Sequence, residues 1–190
     1  MNSNELKIKA RNKLQGKYEI YLLISFIAIL ITGAAAEFLI VGMLVTGPIA
    51  IGTASVFMKL VRGKKVKVEN LFYGFENLLT SFLQELLRGL FTFLWALLFI
   101  VPGISKALAY SMTPYILVDN PKLSALEAIN KSKDMMYGHK GRLFKLIFSF
   151  IGWFVLAILT GGIGFIFLAP YVSATQAEFY QDLLDNRKAK

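Results

Sequence analysis

The chain of 190 residues carries 21 Lys and Arg against 12 Asp and Glu, a net charge of +9, yet 56% of it is hydrophobic and only 17% charged. Soluble domains average roughly 45–50% apolar and about 25% charged, so the composition argues against an ordinary soluble basic domain. The absence of cysteine excludes disulfides, thiolate metal sites and a cysteine nucleophile.

The first 17 residues hold Lys7, Lys9, Arg11, Lys13 and Lys17, and an apolar run follows from Ile20 to Ala36. This has the outline of a signal peptide, with Ala34-Ala35-Ala36 as a small-residue site. The run is longer than a usual leader core of roughly 7–15 residues, however, and reads as an uncleaved first span over 18–36. After a turn whose only charge is Glu37, Phe38 to Met58 is 21 residues without a charge. As a helix it would measure about 31 Å, the thickness of a bilayer's hydrocarbon core. The second span is therefore expected over 38–58.

A basic segment, Lys59 to Lys67, precedes apolar residues spaced as on a helix face: Leu71, Phe72, Phe75, Leu78, Leu79, Phe82, Leu83, Leu86, Leu87 and Leu90. An amphipathic segment over 69–79 is expected to lie on the inner surface. The next apolar block, framed by Arg88 and Asp119, is too long for one crossing, and Val101-Pro102-Gly103 supplies a turn signal that splits it. Spans three and four then fall at 80–101 and 104–118. This draws Glu85 and Arg88 to the inner boundary, where their i,i+3 spacing allows them to pair. Together with Gln84 and Lys106 they form a candidate intramembrane polar site, Lys106 being close enough to a boundary to snorkel.

Ser124 and Glu127 make an S-x-x-E capping box, and Gly138 is a natural stop, so a second amphipathic helix is expected over 124–138 on the inner surface. Lys131, Lys133, His139, Lys140 and Arg142 are its candidate contacts with anionic headgroups. Leu146 to Ala177 is 32 residues without a charge and divides at Thr160-Gly161-Gly162-Ile163-Gly164. Spans five and six are placed at 143–159 and 165–179. Trp95 and Trp153 lie within spans and are expected to pack between helices. Pro48, Pro114 and Pro170 fall in the even-numbered spans, where they are expected to kink the helix.

All Lys and Arg except Arg88 and Lys106 lie in or beside the four segments that this topology places inside, while the three outside turns hold only Glu37. That asymmetry is the positive-inside pattern. The positive charge therefore needs no nucleic-acid partner. Both chain ends are expected on the cytoplasmic side of a cell membrane.

The fold expected is all-α: six transmembrane helices as three hairpins, with cytoplasmic amphipathic helices. The sequence of Asp119-Asn120-Pro121, "SALEAINKSKDMMYGHKGRLFKL" at 124–146 and "FSFIGW" at 148–153 resembles the bacterial integral membrane family called domain of unknown function 975. So do "LFYGF" at 71–75, "LWALLFIVPGI" at 94–104 and "APY" at 169–171. The resemblance covers nearly the whole chain. The "EAINKSKDMMYG" portion is also similar to the membrane domain that precedes some glycerophosphodiester phosphodiesterases, whose catalytic barrel is absent here. What the resemblance implies is a six-helix membrane protein of unsettled role, with no catalytic residues to carry over. The expectation is a non-enzymatic membrane module without cofactor or metal, serving as scaffold, lipid contact or partner of another membrane protein. The alternative is a small transporter or channel using kinked helices 2, 4 and 6.

Overall fold

The computed structural model describes residues 1–35, 39–98 and 100–188. The Glu37 turn and the terminal Lys190 lie outside the described residues. All regular structure among the described residues is helical. Its α-helices are α1 (Ser3–Leu14), α2 (Tyr18–Ala35), α3 (Leu39–Val61), α4 (Leu78–Leu98), α5 (Ile100–Tyr110), α6 (Thr113–Asp119), α7 (Ala125–Met135), α8 (Lys140–Phe148), α9 (Ile151–Leu159) and α10 (Gly164–Lys188). A 3₁₀ helix, Val68–Asn77, joins α3 to α4.

The N-terminal basic stretch is a helix in its own right. Asn2 accepts from the Ser3 amide and closes a capping box with Glu5, which satisfies amides that a helix start leaves open. Leu6, Ala10 and Leu14, one turn apart, are buried against α10 and α3. Helix α2 then departs at 104°.

Helix α3 is the centre of the molecule. Ile49, Ile51, Ala54, Val56, Phe57, Met58, Leu60 and Val61 are all buried, and helices α2, α4, α6, α10 and the 3₁₀ helix pack around them. The approach of the 3₁₀ helix is backbone to backbone. A Cβ on Gly52 would stand 1.6 Å from the Leu71 carbonyl oxygen, and one on Gly74 would stand 2.2 Å from that of Pro48. The segment expected as an amphipathic surface helix over 69–79 therefore has a packed side at Leu71 and Gly74. The segment winds as a 3₁₀ helix against the middle of α3, an uncommon length for that geometry, and buries Leu71 while Phe72 and Phe75 stay exposed.

The fourth expected span is corrected. Pro102 does not end a helix; it falls in the first turn of α5, where its missing N–H removes no intrahelical bond. The chain instead breaks at Ser111-Met112, leaving α5 with 11 residues and α6 with 7. Neither reaches across a bilayer at ~1.5 Å per residue. Pro114 accordingly sits at the start of α6 rather than kinking a span, whereas Pro48 and Pro170 lie inside α3 and α10.

Among the described residues, two stretches are long and apolar enough by themselves to cross a membrane, Leu44–Val61 and Lys140–Leu159. Counting the bent pair α1 and α2 as one gives three. The two stretches differ in setting: 67% of the first is buried within the protein, but only 22% of the second. Around α9 and the start of α10, Ile151, Trp153, Val155, Leu156, Ile158, Leu159, Ile163 and Phe167 all face outward. Trp153, 55% exposed, therefore does not pack between helices as expected. Gly161 and Gly162, with φ of +66° and +90°, make the turn between α9 and α10, a conformation that costs glycine little.

Candidate functional site

The expected polar site on α4 forms a closed pairing. Glu85 accepts a hydrogen bond from Gln84 Nε2 at 3.0 Å and one from Arg88 Nη2 at 2.6 Å. The carboxylate is thereby neutralised by the guanidinium one turn along, as the i,i+3 spacing anticipates. Gln84 is fully buried. Its Oε1 has no hydrogen-bond partner among the described residues. Lys106 stands apart from this group: its Nζ lies 4.3 Å from the centroid of the Trp95 ring, a cation–π contact.

The charged residues of the 124–142 region separate into different roles. Ser124 Oγ accepts from the Glu127 amide, and Glu127 accepts from the Ser124 amide at 2.8 Å, so the capping box forms as the sequence indicates. These hydrogen bonds to Ser124 hold the Glu127 carboxyl below its usual range. Much of α7 is turned into the protein, however, although Leu126 stays exposed. Ala125, Ala128, Ile129, Ser132 and Met135 are buried against α4, α5 and α6.

Ser132 explains how the break between α5 and α6 is tolerated. Its hydroxyl accepts from the Met112 amide at 3.2 Å and donates to the Ala109 carbonyl at 2.7 Å, in a buried setting. It thus occupies backbone groups on both sides of the break. Lys133 is exposed, Lys131 donates to Asn120 Oδ1 at 3.3 Å, and Lys140 to Ser105 Oγ at 3.3 Å. The last contact sets the middle of α5 beside the start of α8.

Arg142, expected against headgroups, turns inward instead. Its Nη2 is 2.5 Å from Asp182 Oδ2 and 2.8 Å from the Met1 carbonyl, and Nη1 is 3.5 Å from His139 Nδ1. The reason is that α10 continues past the end of its uncharged run at Ala177. Its last turns carry acids that gather the basic residues of other helices. Lys13 on α1 reaches Glu178 at 2.6 Å and also caps α3 through the Val61 carbonyl, at 2.6 Å.

Arg62, just beyond α3, makes two 2.7 Å bonds to the two oxygens of Asp119 and a 3.2 Å bond to Gln181. Asp119 ends α6, where the helix dipole disfavours a carboxylate; the guanidinium supplies the opposing charge. Its hydrogen bond to Asp119 raises the Arg62 pKa. The Tyr180 hydroxyl also donates to Asp119, at 3.1 Å. Burial first, then the adjacent carboxylate, pushes the Tyr180 phenol above its ordinary value. Tyr180 stacks on Tyr115 at 5.5 Å between centroids, so α6 and α10 are joined by packing as well as charge.

This ion-paired end, formed by α1, α6, α8, α10 and the end of α3, is absent from the sequence reading. One signal pointed to it: Glu178 and Asp182 are four apart, on one helix face.

Among the described residues no group of three or more His, Cys, Asp and Glu is placed to hold a metal. A cleft of about 710 Å³ opens between α1, α9 and α10.

Comparison with known proteins adds a family. A family model described as "Protein of unknown function (DUF975)" matches residues 1–105 and 101–187. No curated protein and no solved structure matches.

Proposed function

We propose, from the premise that this chain belongs to the DUF975 family of proteins of unknown function, that it is a non-enzymatic module of the bacterial cytoplasmic membrane. It contacts lipid through α9 and α10 and offers an ion-paired cytoplasmic end to a membrane-protein partner. The observation that carries the membrane assignment is the exposed apolar surface of Lys140–Leu159, only 22% of which is buried. An apolar area of this extent left in water would drive association, whereas in lipid it is at rest.

The finer topology follows from the charges. Six apolar segments enter the bilayer as three hairpins, with the 60s and 130s loops and both chain ends inside. The middle hairpin, α4–α5, dips into the bilayer and returns without crossing it, because α5 is short and Lys140, at the inner-side start of α8, meets Ser105 midway along it.

The ion-paired end supports a binding rather than a catalytic role. Asp119, Glu178 and Asp182 each face a cation from a different element, so the carboxylates are engaged in holding helices together. Extraction tests the reading. The protein stays with the membrane fraction through high salt and alkaline washing and leaves it only with detergent; release by salt or alkali refutes it. Capture from mild detergent then returns a specific membrane-protein partner, and an empty capture removes that part.

A further inference from the structure

The cleft between α1, α9 and α10 has a polarity that runs along its length. Lys7 and Arg11, one turn apart on α1, stand at one end, and Trp153, Leu156, Thr160 and Phe167 line the remainder. Lys7 is anchored by donating to the Ser149 carbonyl at 2.8 Å, with its ammonium 3.9 Å from the Phe150 ring centroid. This fixes the charged end at the start of α9. Arg11 is exposed. From Phe150 to Thr160 the wall runs about 15 Å at ~1.5 Å per residue, long enough to lie along much of an acyl chain. Its volume, about 710 Å³, lies within the roughly 300–1,000 Å³ of ligand sites, which are mostly apolar with few polar groups.

We infer that this cleft holds one anionic phospholipid of the inner leaflet, an acyl chain lying along α9 and the phosphate at Lys7 and Arg11. The charge complementarity commits the occupant. A zwitterionic lipid would bring its own cation beside Lys7 and Arg11, whereas an anionic one brings a net counter-charge to the pair. The inference rests on the membrane placement of α9 proposed above and goes beyond it by naming the lipid class and the residues that select it.

Trp153, in the cleft wall, reports occupancy directly. The protein, with Trp95→Phe to leave one tryptophan, is reconstituted in phosphatidylcholine vesicles containing a small share of lipid brominated on the acyl chain. Brominated phosphatidylglycerol should quench Trp153 with an apparent affinity on the order of tenfold above that of brominated phosphatidylcholine. Lys7→Gln with Arg11→Gln should bring the two lipids level. Arg11→Gln alone, at an exposed position, should remove part of the preference without disturbing the fold. Equal quenching by both lipids in the parent, or a preference that survives the double substitution, overturns the inference while leaving the membrane reading intact. Absence of quenching by either lipid overturns both.

Discussion

Ser132→Ala is the substitution that most sharply separates this account from a reading of α7 as a helix resting on the membrane surface. The side chain is fully buried and its hydroxyl bridges the Met112 amide and the Ala109 carbonyl across the α5–α6 break. Alanine removes few atoms, so packing changes little. It leaves a buried N–H without a partner, which costs about 1–3 kcal/mol. At about 2 kcal/mol the ratio of folded to unfolded protein falls roughly thirtyfold. Denaturant titration in detergent micelles, followed by circular dichroism, measures this. The neighbouring Lys133→Ala, on the exposed face, serves as control and should stay within about 0.5 kcal/mol of the parent. Equal midpoints for the Ser132 and Lys133 variants would refute the reasoning, because the break would then owe nothing to α7.

Gly52→Ala places a methyl 1.6 Å from the Leu71 carbonyl; the backbone contact leaves no flexible side chain to yield, so a loss of about 3 kcal/mol or failure to accumulate is expected, read from detergent-solubilised yield and unfolding midpoint. Arg62→Ala removes both bonds to Asp119 and should cost about 1 kcal/mol, since roughly a third of the guanidinium side chain stays in solvent. Titration of Tyr180 gives a pH signature: its folded pKa is raised, so its contribution is complete below the ordinary tyrosine range near 10 and is lost as pH rises through the folded value. Stability measured from pH 8 to 11 should therefore fall less steeply in Tyr180→Phe than in the parent, and parallel profiles would count against the buried phenol.

Much of the helical framework was legible because apolar run length and charge spacing are local properties. Helices α2 and α3 and the α9–α10 turn at Gly161-Gly162 fall where the runs and glycines indicate, and the Ser124–Glu127 cap forms as its spacing requires. What escaped the reading depends on contacts distant in the chain. Nothing near Leu71 says that Gly52 will admit its backbone, so the packed side of the 69–79 segment is not visible in its apolar stripe.

Likewise, Ser132 is an ordinary polar residue in the sequence, and only the fold sets the α5–α6 break beside it. The Glu85–Arg88 pairing was visible, since both partners sit on one helix. Arg142 looked like a headgroup contact because its partner, Asp182, lies 40 residues away, beyond the point where the apolar run of α10 ends. Helix α1 could have been found: Asn2 with Glu5 is a capping pattern, and Leu6, Ala10 and Leu14 recur every fourth residue. The lysines interspersed among them mask that apolar spacing.

The central claim is sidedness, and the natural absence of cysteine makes it directly measurable. Single Lys65→Cys, Lys133→Cys and Ile163→Cys variants, exposed to a membrane-impermeant maleimide in intact cells, give the answer. Only Ile163→Cys, in the α9–α10 turn, should react before permeabilisation, with the other two reacting after it. Labelling of the Lys65 or Lys133 variant in intact cells would contradict the account.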